Sequence, residues 1–377
     1  MLAESPLGWG AMTVLGAGAK GSGTLSGTVR WGVVGTGGIA ARFVADLSLL
    51  PDAEVVAVGS RSADGAESFG ERFRIDRRHP SYADLVADPE LDAVYIATPH
   101  PFHAEHALQA IAAGKPVLVE KPFAMNACEA RRVVDAARQA GVFCMEAMWT
   151  RFLPHMVRLR DLLAEGALGQ ILALSADQGM RFRPDPEHRL FAPELGGGAL
   201  LDLGIYPFSF ASMVLGVPET VRASATAAFT GVDQTTSAVL TYSGGAHAVL
   251  ICTSAAATPM RAWVAGSEGR IEIDRPWYQA SSFTLTRPDG STERYETPAG
   301  VVQQAAHGPA KGMRFEAAEM GRCLREGLLE SPLMPLDESV SIIGTLDEVR
   351  DQIGLSYSTE LSTELGEIRP ERTGLLS

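Results

Sequence analysis

Two segments of the sequence carry side chains suited to proton transfer. Lys121 follows an apolar run over residues 116–120, and Asp202 and Tyr206 stand four residues apart, a spacing that places them on one face of a helix. A phenol with a pKa of about 10 is a poor base at neutral pH, but a neighbouring ammonium favours the phenolate and lowers that pKa. If the segments meet, Lys121 can polarise a substrate oxygen and Asp202 can orient hydroxyl groups or hold Lys121. The pattern favours Tyr206 as the acid–base group, with Lys121 as the alternative.

A glycine-rich turn in the first third of the chain has the spacing of a dinucleotide fingerprint. The apolar run at residues 29–34 precedes G-T-G-G-I-A at residues 35–40, and helical periodicity follows. The first glycine permits the tight turn, the second lets the backbone approach a pyrophosphate, and the N-terminus of the helix attracts the phosphate charge. We therefore expect a dinucleotide to be bound by Gly35, Thr36, Gly37, Gly38 and Ile39.

The end of the next predicted strand indicates which dinucleotide is bound. An acidic residue there would grip the ribose hydroxyls of NAD, but Ser60 and Arg61 stand at this position. A guanidinium can pair with a 2′-phosphate and a hydroxyl can donate to it, whereas a carboxylate would repel it. The sequence therefore favours NADP over NAD.

Apolar runs and helical patterns alternate through the first 150 residues. Strands are predicted at residues 91–98, 116–120 and 142–147, with helices at 103–113 and 125–140 between them. This alternation is typical of an α/β fold with a doubly wound parallel sheet, which binds ligands beyond the carboxyl ends of its strands. The residues that follow the strands are therefore further candidates for binding: Thr98, Pro99, His100, His103, Glu120, Lys121, Pro122 and Trp149.

The second half of the chain has a different pattern of apolar runs and turns. From residue 169 onward short apolar runs are separated mostly by turns, which predicts an α+β domain with a large, open, mostly antiparallel sheet. Helices are predicted at residues 313–328 and 336–353. We divide the chain into a flexible leader, a dinucleotide-binding domain, a substrate-binding domain and a polar tail, at residues 1–28, 29–150, 151–355 and 356–377.

The leader contains a second glycine pattern of the same form. Residues 16–21 match G-x-G-x-x-G, but no adequate strand precedes them and no well-formed helix can follow. We interpret this match as part of a glycine-rich linker. The leader also lacks the cationic start of a secretory signal.

The composition is that of a globular protein, with 46% hydrophobic and 20% charged residues. A formal net charge of −13 argues against a nucleic-acid-binding surface. No uninterrupted apolar run approaches the roughly 18 residues that span a bilayer, so no membrane partner is expected. The four cysteines form no C-x-x-C pair and the histidines near residue 100 have no acidic partner pattern, so we expect no metal site and a reducing, cytoplasmic location.

Four motifs together resemble the Gfo/Idh/MocA oxidoreductase family. They are G-T-G-G-I-A at residues 35–40, A-T-P-H at 97–100, E-K-P at 120–122 and G-G-A-L-L-D-L-G at 197–204. The glutamate–lysine–proline element is the hallmark of that family, and its lysine is generally held to be catalytic, which implies this role for Lys121. The resemblance covers nearly the whole chain apart from the leader and the tail.

Two further segments are similar to a narrower branch of the family. M-E-A-M-W-T-R-F at residues 145–152 and D-L-G-I-Y at 202–206 resemble the dimeric trans-1,2-dihydrobenzene-1,2-diol dehydrogenases and the NADP-dependent D-xylose 1-dehydrogenases. Many family members carry histidine where Tyr206 stands, but the dihydrodiol branch has a tyrosine there, which is assigned the role of the acid–base group. The resemblance implies NADP as cofactor and a homodimer formed through the open sheet faces. It also implies that four residues lie near the substrate or cofactor: Trp149, Arg151, Phe152 and Asp202.

These observations predict an NADP-dependent oxidoreductase that moves a hydride between the nicotinamide and a CH–OH or carbonyl carbon. D-xylose is the first substrate expected and a trans-dihydrodiol the second, while reduction of dicarbonyl sugars stays open. The alternative is a dinucleotide-binding sensor or regulator of the same fold that catalyses nothing. The pairing of Lys121 with Tyr206 argues against a sensor, because a sensor needs no proton relay.

Overall fold

The computed structural model describes residues 27–305 and 307–358. Most of the predicted leader, including the glycine pattern at residues 16–21, lies outside the described residues. So does the predicted tail beyond residue 358.

Strands and helices alternate in the first part of the chain, as the sequence predicts. The first sheet has six parallel strands in the order β3-β2-β1-β4-β5-β6, so the doubly wound parallel sheet is confirmed. Its central strands are buried because helices cover both faces. The elements are β1 Val29–Val34, α1 Gly38–Leu47, β2 Ala53–Gly59, α2 Ala63–Phe73, β3 Arg77–His79, α3 Tyr82–Val86, β4 Ala93–Ile96, α4 His103–Ala112, β5 Val117–Glu120, α5 Ala127–Ala140 and β6 Cys144–Ala147.

The second part of the chain forms a separate, mostly antiparallel sheet. Eight strands lie in the order β14-β13-β12-β11-β7-β10-β9-β8, with one parallel pair, β7 and β10, and this too confirms the predicted fold class. The elements are α6 Pro154–Ala164, β7 Ile171–Gly179, α7 Ile205–Leu215, β8 Thr220–Ala227, β9 Asp233–Thr241, β10 His247–Thr253, β11 Ala262–Gly266, β12 Gly269–Ile273, β13 Phe283–Thr286, β14 Thr292–Tyr295, β15 Gln303–Ala305, β16 Gly308–Ala310, α8 Arg314–Glu326 and α9 Leu336–Ile353.

The large sheet has one buried face and one exposed face. In β10, Ala248 and Leu250 point inward and are buried, while Val249 and Ile251 alternate with them and are exposed. Helices α7 and α9 pack on the buried face. The alternation of side chains along a strand therefore leaves the opposite face uncovered within one chain.

The C-terminal helices return to the first sheet and join the two parts of the molecule. Arg314 of α8 pairs with Asp46 of α1 at 3.0 Å, and both side chains are buried. The same carboxylate accepts hydrogen bonds from the backbone of Lys311 and Gly312. These contacts tie α8 and the segment before it to α1.

Helix α2 has no counterpart in the sequence prediction. It contains two glycines and buries only a narrow apolar stripe, which includes Phe69 and Phe73. Ser62 caps its N-terminus by accepting a hydrogen bond from Gly65 N at 3.2 Å. A weak helical signal is thus completed by a cap and by packing on the sheet.

One segment of the described chain, Pro193–Leu215, is long and apolar enough to cross a membrane by length and composition, with a mean hydropathy of 1.5. Its most apolar window is 78% buried inside the protein. The segment packs in the core beside β7 and β10, and this burial accounts for its hydropathy.

Candidate active site

The turn after β1 has the shape that an anionic cofactor needs. Gly35 has a φ of +107°, and a Cβ there would lie 2.9 Å from the carbonyl oxygen of Ala97. Around Gly37 and Gly38, by contrast, a Cβ would meet no atom within 4 Å, so this stretch of backbone faces open space. Helix α1 begins here without an acidic residue in its first turn. The turn therefore fits a pyrophosphate, whose charge is favoured at a helix N-terminus.

A crevice of about 510 Å³ lies beyond the carboxyl ends of β1, β2, β4 and β5. It is the place where a parallel sheet binds ligands. Every residue that the sequence analysis assigned to the cofactor lines it: Gly35, Thr36, Gly37, Gly38, Ile39, Ser60, Arg61, Thr98, Pro99, His100, His103, Glu120 and Lys121.

The two ends of the crevice differ in charge. Arg42 and Arg61 are exposed at the end near β2, next to the buried hydroxyl of Ser60. Among the described residues that line the crevice, the carboxylates are Glu120 and Asp202, which belong to the other end. A phosphate on the adenosine ribose would therefore meet guanidinium groups and no acid.

Two histidines fix the turns that follow β4 and β5. The ring nitrogens of His103 lie 2.7 Å from the carbonyl oxygens of Thr98 and Pro122. His106 Nδ1 lies 3.0 Å from Thr98 Oγ1. These contacts hold the turn after β4 against the turn that carries Lys121.

The carboxylate of Glu120 anchors the backbone of Lys121 from the protein interior. The Tyr95 hydroxyl donates to Glu120 Oε1, and Lys121 N donates to Oε2 at 3.1 Å. Burial raises the pKa of Glu120, although the Lys121 ammonium opposes this change. Glu120 thus holds the main chain, which leaves the Lys121 side chain free to reach the second domain.

Lys121, Asp202 and Arg189 form a row of alternating charges. Lys121 Nζ donates to Asp202 O at 2.9 Å and to Oδ1 at 3.1 Å, and Arg189 Nη2 donates to Oδ2 at 3.0 Å. Burial opposes both charges of the Lys121–Asp202 pair, but their mutual attraction outweighs it. The pKa of Lys121 is therefore raised and that of Asp202 lowered, so both stay charged at neutral pH.

A widened helical turn presents Asp202 and Tyr206 to this lysine. Residues Leu200–Gly204 form a π-helical turn that leads into α7. Pro207 has no N–H to complete a regular helical ladder, which agrees with the π-helical turn that precedes it. Asp233 of β9 accepts a hydrogen bond from Leu200 N at 2.8 Å and ties the turn to the large sheet.

Tyr206 meets Lys121 with the face of its ring. Lys121 Nζ lies 4.8 Å from the ring centroid, and the Tyr206 hydroxyl accepts a hydrogen bond from Trp149 Nε1 at 2.9 Å. Tyr206 is 7% exposed and lines a small separate cavity rather than the crevice. The ammonium and the phenol therefore lie together, as the sequence analysis required, but their contact is a cation–π contact.

The protonation of Tyr206 differs from the sequence expectation. Burial raises the pKa of Tyr206 to about 12, even though the Lys121 ammonium and the Trp149 hydrogen bond both act to lower it. Desolvation of the phenolate outweighs one cation placed over the ring. Tyr206 is accordingly a phenol at neutral pH, poised to donate a proton more readily than to accept one.

Two residues that the family resemblance placed near the ligand lie elsewhere. The Arg151 guanidinium is buried, donates to Ser209 and pairs with Glu338 at 2.6 Å. Phe152 is fully buried in the core. Both belong to a short 3₁₀ turn, Trp149–Phe152, in which Trp149 contacts Tyr206 while its neighbours along the turn face the core.

The structure also adds residues that sequence reasoning missed. Arg42, Tyr82 and Arg189 line the crevice. Arg42 is signalled by its place in the first turns of α1, close to the glycine turn. Arg189 stands in the long connection between β7 and α7, where no periodicity marks any position as functional.

Comparison with known families identifies the chain. Residues 29–148 match a family model described as oxidoreductase family, NAD-binding Rossmann fold, and residues 156–272 match the GFO/IDH/MocA C-terminal domain. The chain is 39% identical to trans-1,2-dihydrobenzene-1,2-diol dehydrogenase of Mus musculus, over 87% of this chain and 98% of that protein. The corresponding protein of Danio rerio is 38% identical, over 88% and 99%. The chain therefore belongs to the Gfo/Idh/MocA oxidoreductase family, and the resemblance drawn from its motifs is confirmed.

Solved structures agree with this assignment. A 3-ketoreductase from Actinomadura kijaniata, in complex with NADP and TDP-benzene, is similar with a TM-score of 0.73 and 28% identity, covering 86% of this chain and 98% of that one. An aldose–aldose oxidoreductase from Caulobacter crescentus has a TM-score of 0.76, covering 86% and 97%, and at 23% identity it shows the fold alone. The comparisons thus support an oxidoreductase with a dinucleotide-binding domain.

Proposed function

We propose that the protein is an NADP-dependent dehydrogenase that oxidises a CH–OH carbon of an aldose, with D-xylose the first candidate. The observation that carries this proposal is the cluster of Lys121, Asp202 and Tyr206. Lys121 and Asp202 line one end of a crevice shaped for a dinucleotide, and Tyr206 contacts Lys121 from the small separate cavity. The cluster combines a charged donor, a charged acceptor and a phenol. Such a set suits a reaction in which a hydroxyl proton must leave as the carbon is oxidised.

When bound, the nicotinamide of NADP supplies the hydride chemistry. Gly35 and Gly37 would hold the pyrophosphate, and Ser60 and Arg61 the 2′-phosphate. The Lys121 ammonium donates to the substrate oxygen and stabilises negative charge that develops on it. These groups orient the ligand without changing their own covalent structure.

Asp202 and Tyr206 complete the proton chemistry. The Asp202 carboxylate accepts a hydrogen bond from a neighbouring substrate hydroxyl and keeps Lys121 extended into the crevice. The phenolate form of Tyr206 accepts the hydroxyl proton during oxidation, and the phenol returns it during carbonyl reduction. Its high pKa favours the reductive direction at neutral pH, because the phenol is then the resting form.

A second candidate substrate is a trans-dihydrodiol. The relatives at 39% and 38% identity carry the name trans-1,2-dihydrobenzene-1,2-diol dehydrogenase, and their matches extend over most of both chains. The same three residues can serve this reaction, because a vicinal diol also presents one reacting hydroxyl and one neighbour.

The proposed function is tested by turnover. Pure protein is incubated with NADP or NAD and a panel of pentoses, hexoses and trans-dihydrodiols, and reduced cofactor is followed by its absorbance. Formation of NADPH with D-xylose supports the first candidate, and formation with dihydrodiols alone supports the second. Tight NADP binding without turnover across the panel would instead support the sensor.

Replacing Arg61 by alanine is expected to weaken NADP binding about tenfold or more while leaving NAD binding nearly unchanged. The reason is that a charge-assisted hydrogen bond to phosphate contributes roughly 1.5–3 kcal/mol. NAD has no 2′-phosphate, so its binding does not depend on this hydrogen bond. Fluorescence titration with each cofactor measures the two dissociation constants. Arg132→Ala serves as the control, because Arg132 is exposed on α5 outside the crevice. Equal losses for NADP and NAD would refute the phosphate contact.

We further propose that two copies of the chain associate through the exposed face of the large sheet. Exposed apolar side chains lie next to each other on this face: Val239, Val249, Ile251 and Trp263 are between 38% and 51% exposed. Val249 pairs with Val239 across β9 and β10, and both Val249 and Trp263 pair with Ser175 of β7. A contiguous apolar patch of this kind is costly in water and favours a self-complementary contact.

Placing a charge in this patch is expected to separate the dimer. Val249→Lys should convert a species of twice the chain mass into one of a single chain mass, as measured by light scattering after gel filtration. Val217→Lys is the matched control, because Val217 is 68% exposed but lies outside the sheet strands. A wild-type protein with the mass of one chain at micromolar concentration would contradict this association.

A further inference from the structure

The substrate end of the crevice offers more polar groups than one reacting hydroxyl and its neighbour require. Lys121 and Arg189 approach the Asp202 carboxylate from two sides, at 3.1 Å and 3.0 Å. The carboxylate is almost fully buried, whereas 54% of the Arg189 side chain is exposed. Arg189 is therefore the cation of this row that is open to a ligand from solvent.

Arg189 retains hydrogen-bonding capacity after it has paired with Asp202. Its contacts with the carboxylate, at 3.1 Å and 3.0 Å, both come from Nη2. A guanidinium carries five N–H donors in a fixed fork. Within the described residues Nη1 and Nε of Arg189 donate to no acceptor, so these N–H groups are available to a bound molecule.

His100 adds an acceptor to which no residue in the described part of the chain donates a hydrogen bond. It is 6% exposed, and its Nδ1 lies 3.1 Å from the carbonyl oxygen of Gly196, so Nδ1 carries the hydrogen and donates. Burial lowers the pKa of His100 to about 3, which keeps the ring neutral and leaves a lone pair on Nε2. Nε2 lies 3.9 Å from Asp202 Oδ1, a distance too long for a hydrogen bond. His100 thus presents an acceptor in the crevice wall that can receive a hydrogen bond from a bound molecule.

We propose that Arg189 determines specificity by binding a third oxygen of a polyhydroxylated substrate, beyond the reacting hydroxyl and the neighbour held by Asp202. The proposal rests on the function proposed above and selects the aldose within it. The wall then presents Lys121 as donor, Asp202 as acceptor, Arg189 as donor and His100 as acceptor, which matches a chain of sugar hydroxyls. A dihydrodiol has two hydroxyls on an apolar ring, so it would displace water from the free N–H groups of Arg189 and from Nε2 of His100 without replacing those hydrogen bonds, which is costly.

The test compares Arg189→Gln with wild type on D-xylose and on its monodeoxy analogues. We expect the substitution to lower kcat/KM for D-xylose about tenfold or more, since one charge-assisted hydrogen bond is lost. One monodeoxy analogue should lose a similar factor with the wild-type enzyme but almost nothing further with Arg189→Gln. This non-additivity identifies the hydroxyl that Arg189 contacts.

The same measurements separate a specificity role from a positioning role. If Arg189 only holds Asp202, Arg189→Gln lowers kcat/KM by one common factor for D-xylose, all its analogues and dihydrodiols, and the proposal is overturned. Arg183→Gln, on the same connection, exposed and outside the crevice wall, should leave every kcat/KM within about twofold of wild type. A wild-type enzyme active on dihydrodiols but on no sugar overturns this inference and leaves the dehydrogenase function with the second candidate substrate. No turnover of any substrate overturns the proposed function as well.

Discussion

Tyr206→Phe is expected to lower kcat by about two to four orders of magnitude while the dissociation constant for NADP stays near that of wild type. General acid–base catalysis by one positioned group contributes about this much, and the substitution removes only the hydroxyl. The ring that packs against Lys121 is preserved, so the cation–π contact at 4.8 Å survives. Stopped-flow turnover and a fluorescence titration measure the two quantities separately.

The pH profile identifies the group that has been lost. Burial raises the pKa of Tyr206 to about 12, so only a small fraction is phenolate at neutral pH. Because kcat/KM reports the pKa values of the free enzyme, log kcat/KM for oxidation should rise with a slope near one between about pH 7 and pH 9. In Tyr206→Phe this rise should disappear.

A neighbouring tyrosine supplies the control. Tyr278 packs against Tyr206 at 5.1 Å between ring centroids, but its hydroxyl accepts a hydrogen bond from Gln279 instead of Trp149. Tyr278→Phe should therefore keep both the rate and the pH slope. If Tyr206→Phe retained turnover within about threefold of wild type, the proton would have to pass through Lys121, the alternative acid–base group.

Lys121→Met is the second large change, with an expected loss of about a thousandfold in kcat/KM. Removal of one preorganised charged donor costs up to about this factor, because the developing negative charge on the substrate oxygen is no longer stabilised. The Tyr206 phenolate also loses a cation that lowers its pKa. Initial rates at saturating NADP measure the loss, and Lys121→Arg should recover part of it.

The same substitution should also destabilise the protein. The substitution removes one cationic partner from the buried Asp202 carboxylate, which lowers the free energy of unfolding. Because Arg189 still pairs with this carboxylate, we expect the loss to be at most about 3 kcal/mol. Urea unfolding with and without NADP separates this effect from the loss of catalysis. Lys115→Met is the control, since Lys115 Nζ donates to the backbone of Asp88 and Leu91 away from the crevice. Normal turnover by Lys121→Met would exclude Lys121 from the reaction.

The cofactor side of the site was predictable because its signals are local. A glycine-rich turn between a strand and a helix is typical of dinucleotide binding. The residues that follow parallel strands all lie at the same edge of the sheet. Gly35, Ser60, Arg61 and Thr98 therefore line the crevice as the pattern indicated. Arg151 shows the limit of this reasoning, because it lies two residues from Trp149 yet its guanidinium is turned into the core to Glu338.

By itself the sequence determined the two sheets, the oxidoreductase family and the residues that line the cofactor crevice, because strand periodicity, turn residues and short motifs each lie within a few neighbouring positions. Only the tertiary structure decided how the distant segments meet. It placed Lys121 over the face of the Tyr206 ring, buried that phenol enough to raise its pKa, and brought Arg189 from a featureless connection onto Asp202. Desolvation and the direction of a side chain depend on everything packed around it, and no local pattern contains that information.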